Sequence, residues 1–154
     1  MDKKESPLKT VIHLADKTVL KGHLDNVNGI WSVHNSVESG LLPEQVELRL
    51  LNGGTVTVQL GQAKAVFFVN AFAGQPDYKE LRFFKNVPEF PGLWVRLRFA
   101  DQEVTEGLVQ NSLRLLVHPG FFLKPPDPQS NNHMVYALKK HLISFEVLGL
   151  RTEF

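Results

Sequence analysis

Two alternating segments, VELRL at 46–50 and TVTVQL at 55–60, flank the turn Asn52-Gly53-Gly54. Side chains that alternate between apolar and polar fit a strand with one buried face, and Asn-Gly is a preferred turn of a two-strand hairpin. No segment keeps the 3.6-residue period of an amphipathic helix for more than two turns, and 136–141 is the best candidate for a short helix. The sequence therefore predicts an all-β chain with little helix.

Three further segments have strand patterns, at 9–24, 65–69 and 93–99. The first contains two apolar runs around Ala15-Asp16-Lys17, which predicts another hairpin. Residues 65–69, AVFFV, are apolar on both faces, as expected of a strand in the middle of a sheet. In LWVRLRF at 93–99 two arginines alternate with apolar residues, so we expect that strand to expose both arginines on one face.

The segments 13–24 and 98–109 resemble each other. Each has Ala-Asp at a turn, then Val three residues after the Asp and Gly three residues after the Val, and the matching positions are separated by 85 residues throughout. A glycine inside a strand is typical of a bulge or a sharp bend. We interpret the pattern as an internal repeat, and chance similarity between two amphipathic hairpins is the alternative. The matching pairs are Ala15 with Ala100, Asp16 with Asp101, Val19 with Val104 and Gly22 with Gly107.

The repeat predicts two related small β-barrel halves packed as one compact unit, because the pairing of two small sheets covers their exposed edges. We expect a flexible tail at 1–8 and a first half at 9–75. A connector at 76–92, which contains three of the nine prolines, then leads to a second half at 93–150.

Composition limits the classes of function. The 154 residues are 43% hydrophobic, which is enough for a substantial core, and without cysteine a disulfide framework and a thiolate nucleophile are excluded. The net charge of +1 lacks the positive surplus that favours strong non-specific binding to nucleic acids. The polar start has no secretory pattern, and no run of about 18 apolar residues occurs, so we expect a cytoplasmic protein without a membrane span.

The segment GFFLKPPDPQSNN at 120–132 changes from an apolar strand to a rigid turn and then to a polar loop. Its prolines fix φ and remove hydrogen-bond donors, whereas Asp, Ser and Asn side chains bond to their own backbone in turns. The loop at 125–133 is therefore either a structural corner or a rim that recognises a protein partner or a small polar ligand. The candidate binding residues are Asp127, Ser130, Asn131, Asn132 and His133.

The hairpins with an Asp turn and a mid-strand Gly resemble the small barrels of Sm-like and SH3-like proteins. The order of ADKTVLKGHL, KAVFFV, VRLRFADQEVTEG, GFFLKPPDPQSNN and MVYAL is similar, over 9–150, to an uncharacterised bacterial family, a domain of unknown function with a Pro-x-Asp-Pro-x-Ser-Asn-Asn loop. That family usually has a basic residue soon after the two Asn, where this chain has His133 and Met134. The resemblance implies an architecture and attaches no activity.

Catalytic and metal sites are not indicated by the sequence. The six histidines lack the spacing of zinc ligands, and Ser130 is not set in the strained turn of a nucleophile elbow. We therefore expect a non-catalytic binding or adaptor module that needs no cofactor and binds a protein partner, with oligomerisation left open and a hydrolase as the least favoured class. The alternative is an Sm-like module that binds RNA or single-stranded DNA through Arg96, Arg98 and Arg114, next to Trp94 and Phe99.

Overall fold

The computed structural model describes residues 8–24, 42–74, 83, 91–127 and 129–151. They form an all-β protein, which confirms the predicted fold class. The helix α1 spans Arg114–Val117, and 3-10 turns span Leu60–Gln62 and Lys139–His141. The strands are β1 (Leu8–Leu14), β2 (Val19–Leu24), β3 (Gln45–Leu50), β4 (Thr55–Gln59), β5 (Ala63–Val69), β6 (Gly92–Phe99), β7 (Val104–Val109), β8 (Gly120–Leu123), β9 (Asn132–Leu138) and β10 (Leu142–Arg151).

The helix expected at 136–141 is wrong over half of that range. Tyr136, Ala137 and Leu138 end the strand β9, and only Lys139–His141 make a helical turn. Both faces of β9 are buried, Tyr136 and Leu138 in one core and Ala137 in another. The run is therefore apolar throughout and lacks the alternation that identifies a half-buried strand.

The strands form two antiparallel sheets, which an isolated bridge connects. Seven of them pair as β4-β3-β2-β1-β5-β9-β8, and the other three pair as β10-β6-β7. An isolated bridge between Leu108 and Lys124 joins β7 to β8. Within the described ranges, β4 and β10 are therefore the two ends of the order.

The chain contains two successive five-strand units, the first unit β1–β5 and the second unit β6–β10, with the same pairing. All six residue pairs of β1 with β2 recur 85 positions later in β6 with β7. The pairing of β1 with β5 recurs in β6 with β10, and the register shifts at the same place, beside Lys64 and Ile143. The pairing of β3 with β4 recurs in β8 with β9. Both units thus have the order fifth, first, second, third, fourth strand.

The first hairpin of each unit closes with the same Asp turn. In each turn the Asp carboxylate accepts a hydrogen bond from the backbone N–H two residues later, and the residue between them has a positive φ, which is uncommon for residues other than Gly. The hydrogen bonds are Thr18 N–H to Asp16 at 2.9 Å and Glu103 N–H to Asp101 at 3.0 Å, and the residues with positive φ are Lys17 (76°) and Gln102 (75°).

A glycine in the second strand of each unit allows the third strand to cross at close range. A Cβ at Gly22 would lie 2.3 Å from the carbonyl oxygen of Arg49 on β3, and a Cβ at Gly107 would lie 2.4 Å from the side chain of Leu123 on β8. Side-chain atoms do not tolerate such distances, so both positions need the absence of a Cβ.

The two units are joined by the pairing of β5, the fifth strand of the first, with β9, the fourth strand of the second. Because different strands meet, the joint is head-to-tail and not twofold. The cores on either side share β9. Its residues Met134, Tyr136 and Leu138 belong to the first core, and Val135 and Ala137 belong to the second.

Candidate functional site

The loop at 125–133 connects β8 to β9, and its polar side chains hold two successive turns. The Oδ1 of Asp127 accepts a hydrogen bond of 2.9 Å from the backbone N–H of Gln129, and the Oγ of Ser130 accepts one of 2.9 Å from the N–H of Asn132. Asp127 and Ser130 are both buried. Buried polar groups are costly unless they are hydrogen-bonded, so these bonds stabilise the corner.

Asn131 fastens the corner to the segment that follows β5. Its Oδ1 accepts a hydrogen bond from the N–H of Ala71 at 2.9 Å, and its Nδ2 donates to the carbonyl of the same residue at 3.0 Å. The N–H of Asn70 donates to the backbone carbonyl of Asn131 at 2.8 Å. Asn131 therefore bonds to Ala71 as a neighbouring strand would, and it continues the pairing of β5 with β9 beyond its last residues.

The remaining residues of the loop are placed differently. Asn132 begins β9 and is half-buried, whereas His133 and Gln129 are exposed. Pro128 lies outside the described residues. The structure thus brings Asp127, Ser130 and Asn131 together in a corner and leaves His133 to solvent, and ligand binding by this loop stays a prediction.

Arg96 on β6 is paired with a buried carboxylate of β7. Its Nη2 lies 3.0 Å from the Oε2 of Glu106, which is directly opposite on β7, and the Nε1 of Trp94 donates to the Oε1 of Glu106 at 3.0 Å. Only 3% of the Glu106 side chain is accessible. Such a carboxylate requires partners, and here it offsets the positive charge that Arg96 would present to a phosphate.

The other residues of the nucleic-acid alternative lie on separate elements. Arg98 is exposed on β6, and Arg114 is exposed at the start of α1, in the connection between β7 and β8. Phe99 is buried in the second core, so it is not available to stack on a base. Binding of RNA or single-stranded DNA stays a prediction.

A cavity of about 200 Å³ opens between the two Asp turns, where the units meet. Lys64, near the start of β5, donates to the Oδ2 of Asp101 at 2.7 Å and to the Oε2 of Glu103 at 2.6 Å. Its ammonium group lies 4.7 Å from the centroid of the Phe99 ring, a cation–π distance. Lys64 is buried, and the two carboxylates provide the opposite charge that its burial requires. The cavity is lined by His13, Leu14, Ala15, Lys17, Lys64, Ala100, Asp101, Glu103 and His141.

Two histidines also line this cavity. Burial lowers the pKa of His13 below its ordinary value of 6.5, and the charge of Lys64 lowers it further. The His13 ring packs on that of Phe67, with 4.7 Å between the centroids. The Nε2 of His141 lies 3.0 Å from the carbonyl oxygen of Gly61, so it connects the two 3-10 turns across the units.

The charged groups of the cavity bind one another. The hydrogen bond from Lys64 lowers the pKa of Asp101, which stays a carboxylate at neutral pH. The Nζ of Lys64 donates to two carboxylates, so it is not directed at a substrate as a nucleophile would be. Within 8–24, 42–74, 91–127 and 129–151, no three His, Asp or Glu side chains converge as metal ligands would. The arrangement is suited to holding the two units together.

This cluster was not predicted from the sequence, although one signal points towards it. Lys64 interrupts the apolar run of β5, and a lysine in a buried strand requires a partner of opposite charge. The sequence does not say which carboxylate that is, because Asp101 and Glu103 follow Lys64 by 37 and 39 residues and belong to the other unit.

An apolar surface at α1, the α1 patch, consists of Leu113, which directly precedes the helix, and of Leu116 and Val117 within it. These side chains are 72%, 75% and 69% exposed, respectively. Leu115 points the other way and packs against the second core. The patch was missed because SLRLLV at 112–117 is too short for a helical period to be recognised.

Across the described ranges, the structure contains no helix that is long and apolar enough to cross a membrane. A family model described as a family of unknown function, DUF6982, matches residues 6–149. No curated protein and no solved structure matches the chain. The family match confirms the prediction that the chain belongs to an uncharacterised domain family. Since the match spans nearly all of the 154 residues, the chain belongs to the DUF6982 family.

Proposed function

We propose that the chain is a non-catalytic binding module that recognises a protein partner through the α1 patch. The observation that carries this proposal is the exposure of Leu113, Leu116 and Val117 within five consecutive positions. Single exposed apolar residues are common, but neighbouring ones that form a patch are typical of interaction sites.

The helix that carries the α1 patch is fixed by contacts to the rest of the second unit. Leu115 packs against the second core, and the Nζ of Lys139 donates a hydrogen bond to the carbonyl oxygen of Leu115. The helix is therefore held by contacts that do not use the three exposed side chains. A surface that is fixed before binding loses less conformational entropy when a partner docks.

Charge indicates the chemistry of the partner. The stretch 107–122, which contains α1, has Arg114 but no Asp or Glu, and the ammonium group of Lys139 bonds to the carbonyl oxygen of Leu115. Positive charge around an apolar centre favours a partner with complementary negative charge. The proposed partner is a protein segment with two or three large apolar residues flanked by Asp or Glu.

The polar clusters support a role without catalysis. Lys64 bonds to Asp101 and Glu103, and Glu106 bonds to Arg96 and Trp94. Catalytic sites have groups whose proton or electron pair is available to a substrate. These groups are directed at each other, which favours structural roles.

We also propose that the two units are copies of one small Sm-like sheet. The shared register of their strands, the two Asp turns with positive φ, and the close crossings at Gly22 and Gly107 support this reading. The recurrence of the pairing of the first strand with the second and fifth, and of the third with the fourth, favours this reading over chance similarity between two hairpins.

The corner at 125–133 and the three arginines give two other binding surfaces to compare. The hydrogen bonds of Asp127, Ser130 and Asn131 favour a structural corner, and the pairing of Arg96 with Glu106 weakens the case for nucleic acid. Each surface can be tested by one exposed substitution: Leu116→Asp in the α1 patch, His133→Ala in the loop and Arg98→Glu on β6.

The test is affinity capture from a lysate of the native host by wild type and these three variants, with and without nuclease, followed by quantitative mass spectrometry. Melting curves verify that each variant is folded. We expect wild type, His133→Ala and Arg98→Glu to retain the same set of proteins. We expect Leu116→Asp to retain at least about tenfold less of these proteins, which corresponds to about 1.4 kcal/mol of binding free energy.

Other results would overturn the proposal. Retention that is lost only with His133→Ala assigns binding to the loop at 125–133. Retention that disappears with nuclease and with Arg98→Glu assigns the chain to the nucleic-acid binders. Equal retention by all four proteins shows that the α1 patch is not a binding surface.

A further inference from the structure

The strands at the two ends of the order are β10 and β4, and they are the equivalents, in the other unit, of the two strands that pair at the joint. The joint pairs β5, a fifth strand, with β9, a fourth strand. The fifth strand of the second unit is β10 and the fourth strand of the first unit is β4, and each has only one neighbouring strand among the described residues. Since β4 and β10 do not pair with each other within the described residues, the same joint can form a second time between two copies of the chain.

Side chains of β10 are more exposed than the corresponding side chains of β5. Val66 and Phe68 on β5 face the first core and are 0% and 2% exposed. The corresponding residues of β10, which lie 79 positions later and have the same register on the first strand of their unit, are Phe145 and Val147. They are 36% and 55% exposed, because no described strand covers the free edge of β10.

The strand β4 has the properties of a partner for that edge. Its sequence, TVTVQ, is rich in β-branched residues and has none of the Lys, Pro or bulges that usually protect an edge strand from pairing. Thr55 and Thr57 are exposed on the face that points away from the first core, whereas Val58 is buried in that core. Among the described residues this edge of β4 has no neighbouring strand, which favours β-strand addition.

We propose that β10 of one chain pairs with β4 of a second copy, in the antiparallel register of the joint between β5 and β9. Within the chain, Val66 lies opposite Tyr136 and Phe68 opposite Met134. The corresponding pairs between two copies are Phe145 opposite Thr57 and Val147 opposite Thr55. Aromatic and β-branched side chains are favourable partners across strands.

A contact between two different surfaces leaves one of each free, so this assembly continues head-to-tail until it closes into a ring or extends as a filament. It uses neither the α1 patch nor the corner at 125–133. It is therefore independent of the proposed function, and either can fail without the other.

Cross-linking tests the register directly, because the chain has no cysteine of its own. A Thr55→Cys variant and a Val147→Cys variant, distinguished by different tags, are mixed and oxidised, and each is also oxidised alone. We expect the mixture to give a disulfide between the two variants and each variant alone to give at least about tenfold less dimer. Directly opposite residues on antiparallel strands have Cβ atoms within the reach of a disulfide.

Two results overturn the proposal. Efficient dimers of Val147→Cys alone would show that β10 pairs with β10 in a twofold dimer. A wild-type chain that sediments as a 17.4 kDa monomer at all concentrations up to about 100 μM, well above the Kd of a stable assembly, would show that the edges do not pair.

A charged variant separates assembly from folding. Val147→Lys places a charge at the edge of β10, where lysine is a natural protection against pairing. We expect it to sediment as a monomer and to keep the melting temperature that wild type shows at a concentration where wild type is monomeric. The control is Val19→Lys, because Val19 is similarly exposed, at 46%, but lies on β2 inside the strand order. An assembly that survives Val147→Lys contradicts the proposed pairing.

Discussion

The ammonium group of Lys64 lies 2.6 Å from the carboxylate of Glu103, across the boundary between the two five-strand units. Lys64 is buried on β5 in the first unit, and Glu103 follows the Asp turn of the second. A second carboxylate, that of Asp101, accepts another bond from the same ammonium group at 2.7 Å. These two hydrogen bonds thus connect the two units in addition to the pairing of β5 with β9.

Replacing this lysine is expected to destabilise the fold. Lys64→Met keeps the length of the side chain but leaves Asp101 and Glu103 close together without a cation. Breaking a fully buried ion pair costs about 3 to 5 kcal/mol, and since about two fifths of each carboxylate side chain is accessible here, we expect about 1 to 2 kcal/mol. Urea unfolding followed by circular dichroism measures the loss. The control is Lys140→Met, at an exposed lysine, and an equal loss in both variants would contradict the structural role of Lys64.

The lowered pKa of His13 predicts a dependence of stability on pH. The unfolded chain, in which His13 has a pKa near 6.5, binds its proton more readily than the folded chain. The contribution of neutral His13 to stability is therefore present above pH 6.5 and is lost as the pH falls through the lower pKa of the folded state. Lys64, Lys21, Asp101 and Glu103 are the charged groups that act on this ring.

The variant His13→Gln isolates this effect. We expect wild type to exceed His13→Gln in free energy of unfolding by more at about pH 7.5 than at about pH 5.5. Urea unfolding of both proteins at each pH gives the two differences. A difference that stays constant, or grows as the pH falls, would show that the pKa of His13 is not lowered by folding.

The corner at 125–133 gives a prediction about stability rather than binding. Asn131→Ala removes two hydrogen bonds to the backbone of Ala71, so we expect a loss of about 1 to 2 kcal/mol in the free energy of unfolding. His133→Ala, at an exposed position two residues away, is the matched control and is expected to change stability by less than about 0.5 kcal/mol. If Asn131→Ala is as stable as wild type, the side chain does not fasten the corner.

The close crossing of β2 and β3 predicts a strong effect from one methyl group. Gly22→Ala places its Cβ against the carbonyl oxygen of Arg49, which cannot move without displacing β3, so we expect a loss of about 1 to 3 kcal/mol. Gly61→Ala is the control, because a Cβ at Gly61 meets no atom within 4 Å. Thermal unfolding of the two variants measures the contrast, and similar melting temperatures would contradict the crossing geometry.

Local sequence patterns predict many of the strands, but they do not predict which distant strands and side chains pair. Alternation around Asn52-Gly53-Gly54 predicts β3 and β4, and the shared Asp and Gly positions predict two similar hairpins. These signals lie within about a dozen residues of each other, so backbone preference and burial of one face determine them. The strand at 136–138 was mistaken for helix because both of its faces are buried.

The candidate site was harder to predict because it depends on which elements meet. The loop at 125–133 was recognised as unusual, but the partner of Asn131 is Ala71, 60 residues earlier, and no local pattern indicates that contact. Lys64 and Glu103 likewise meet only because β5 pairs with β9 and brings the two units together. The exposure of the α1 patch also follows from tertiary packing, since Leu115 in the same short run is turned towards the core.

The most direct test of the binding module is site-specific photo-cross-linking in cells of the native host. The photoreactive residue benzoylphenylalanine replaces Leu116, His133 or Arg98 in three separate variants, and the cross-linked products are identified by mass spectrometry. The account predicts a discrete protein adduct from position 116 and none from positions 133 and 98, and the adduct should map to a segment with apolar residues flanked by Asp or Glu. A protein adduct from position 133, or a nucleic-acid adduct from position 98, without any from position 116, would contradict it.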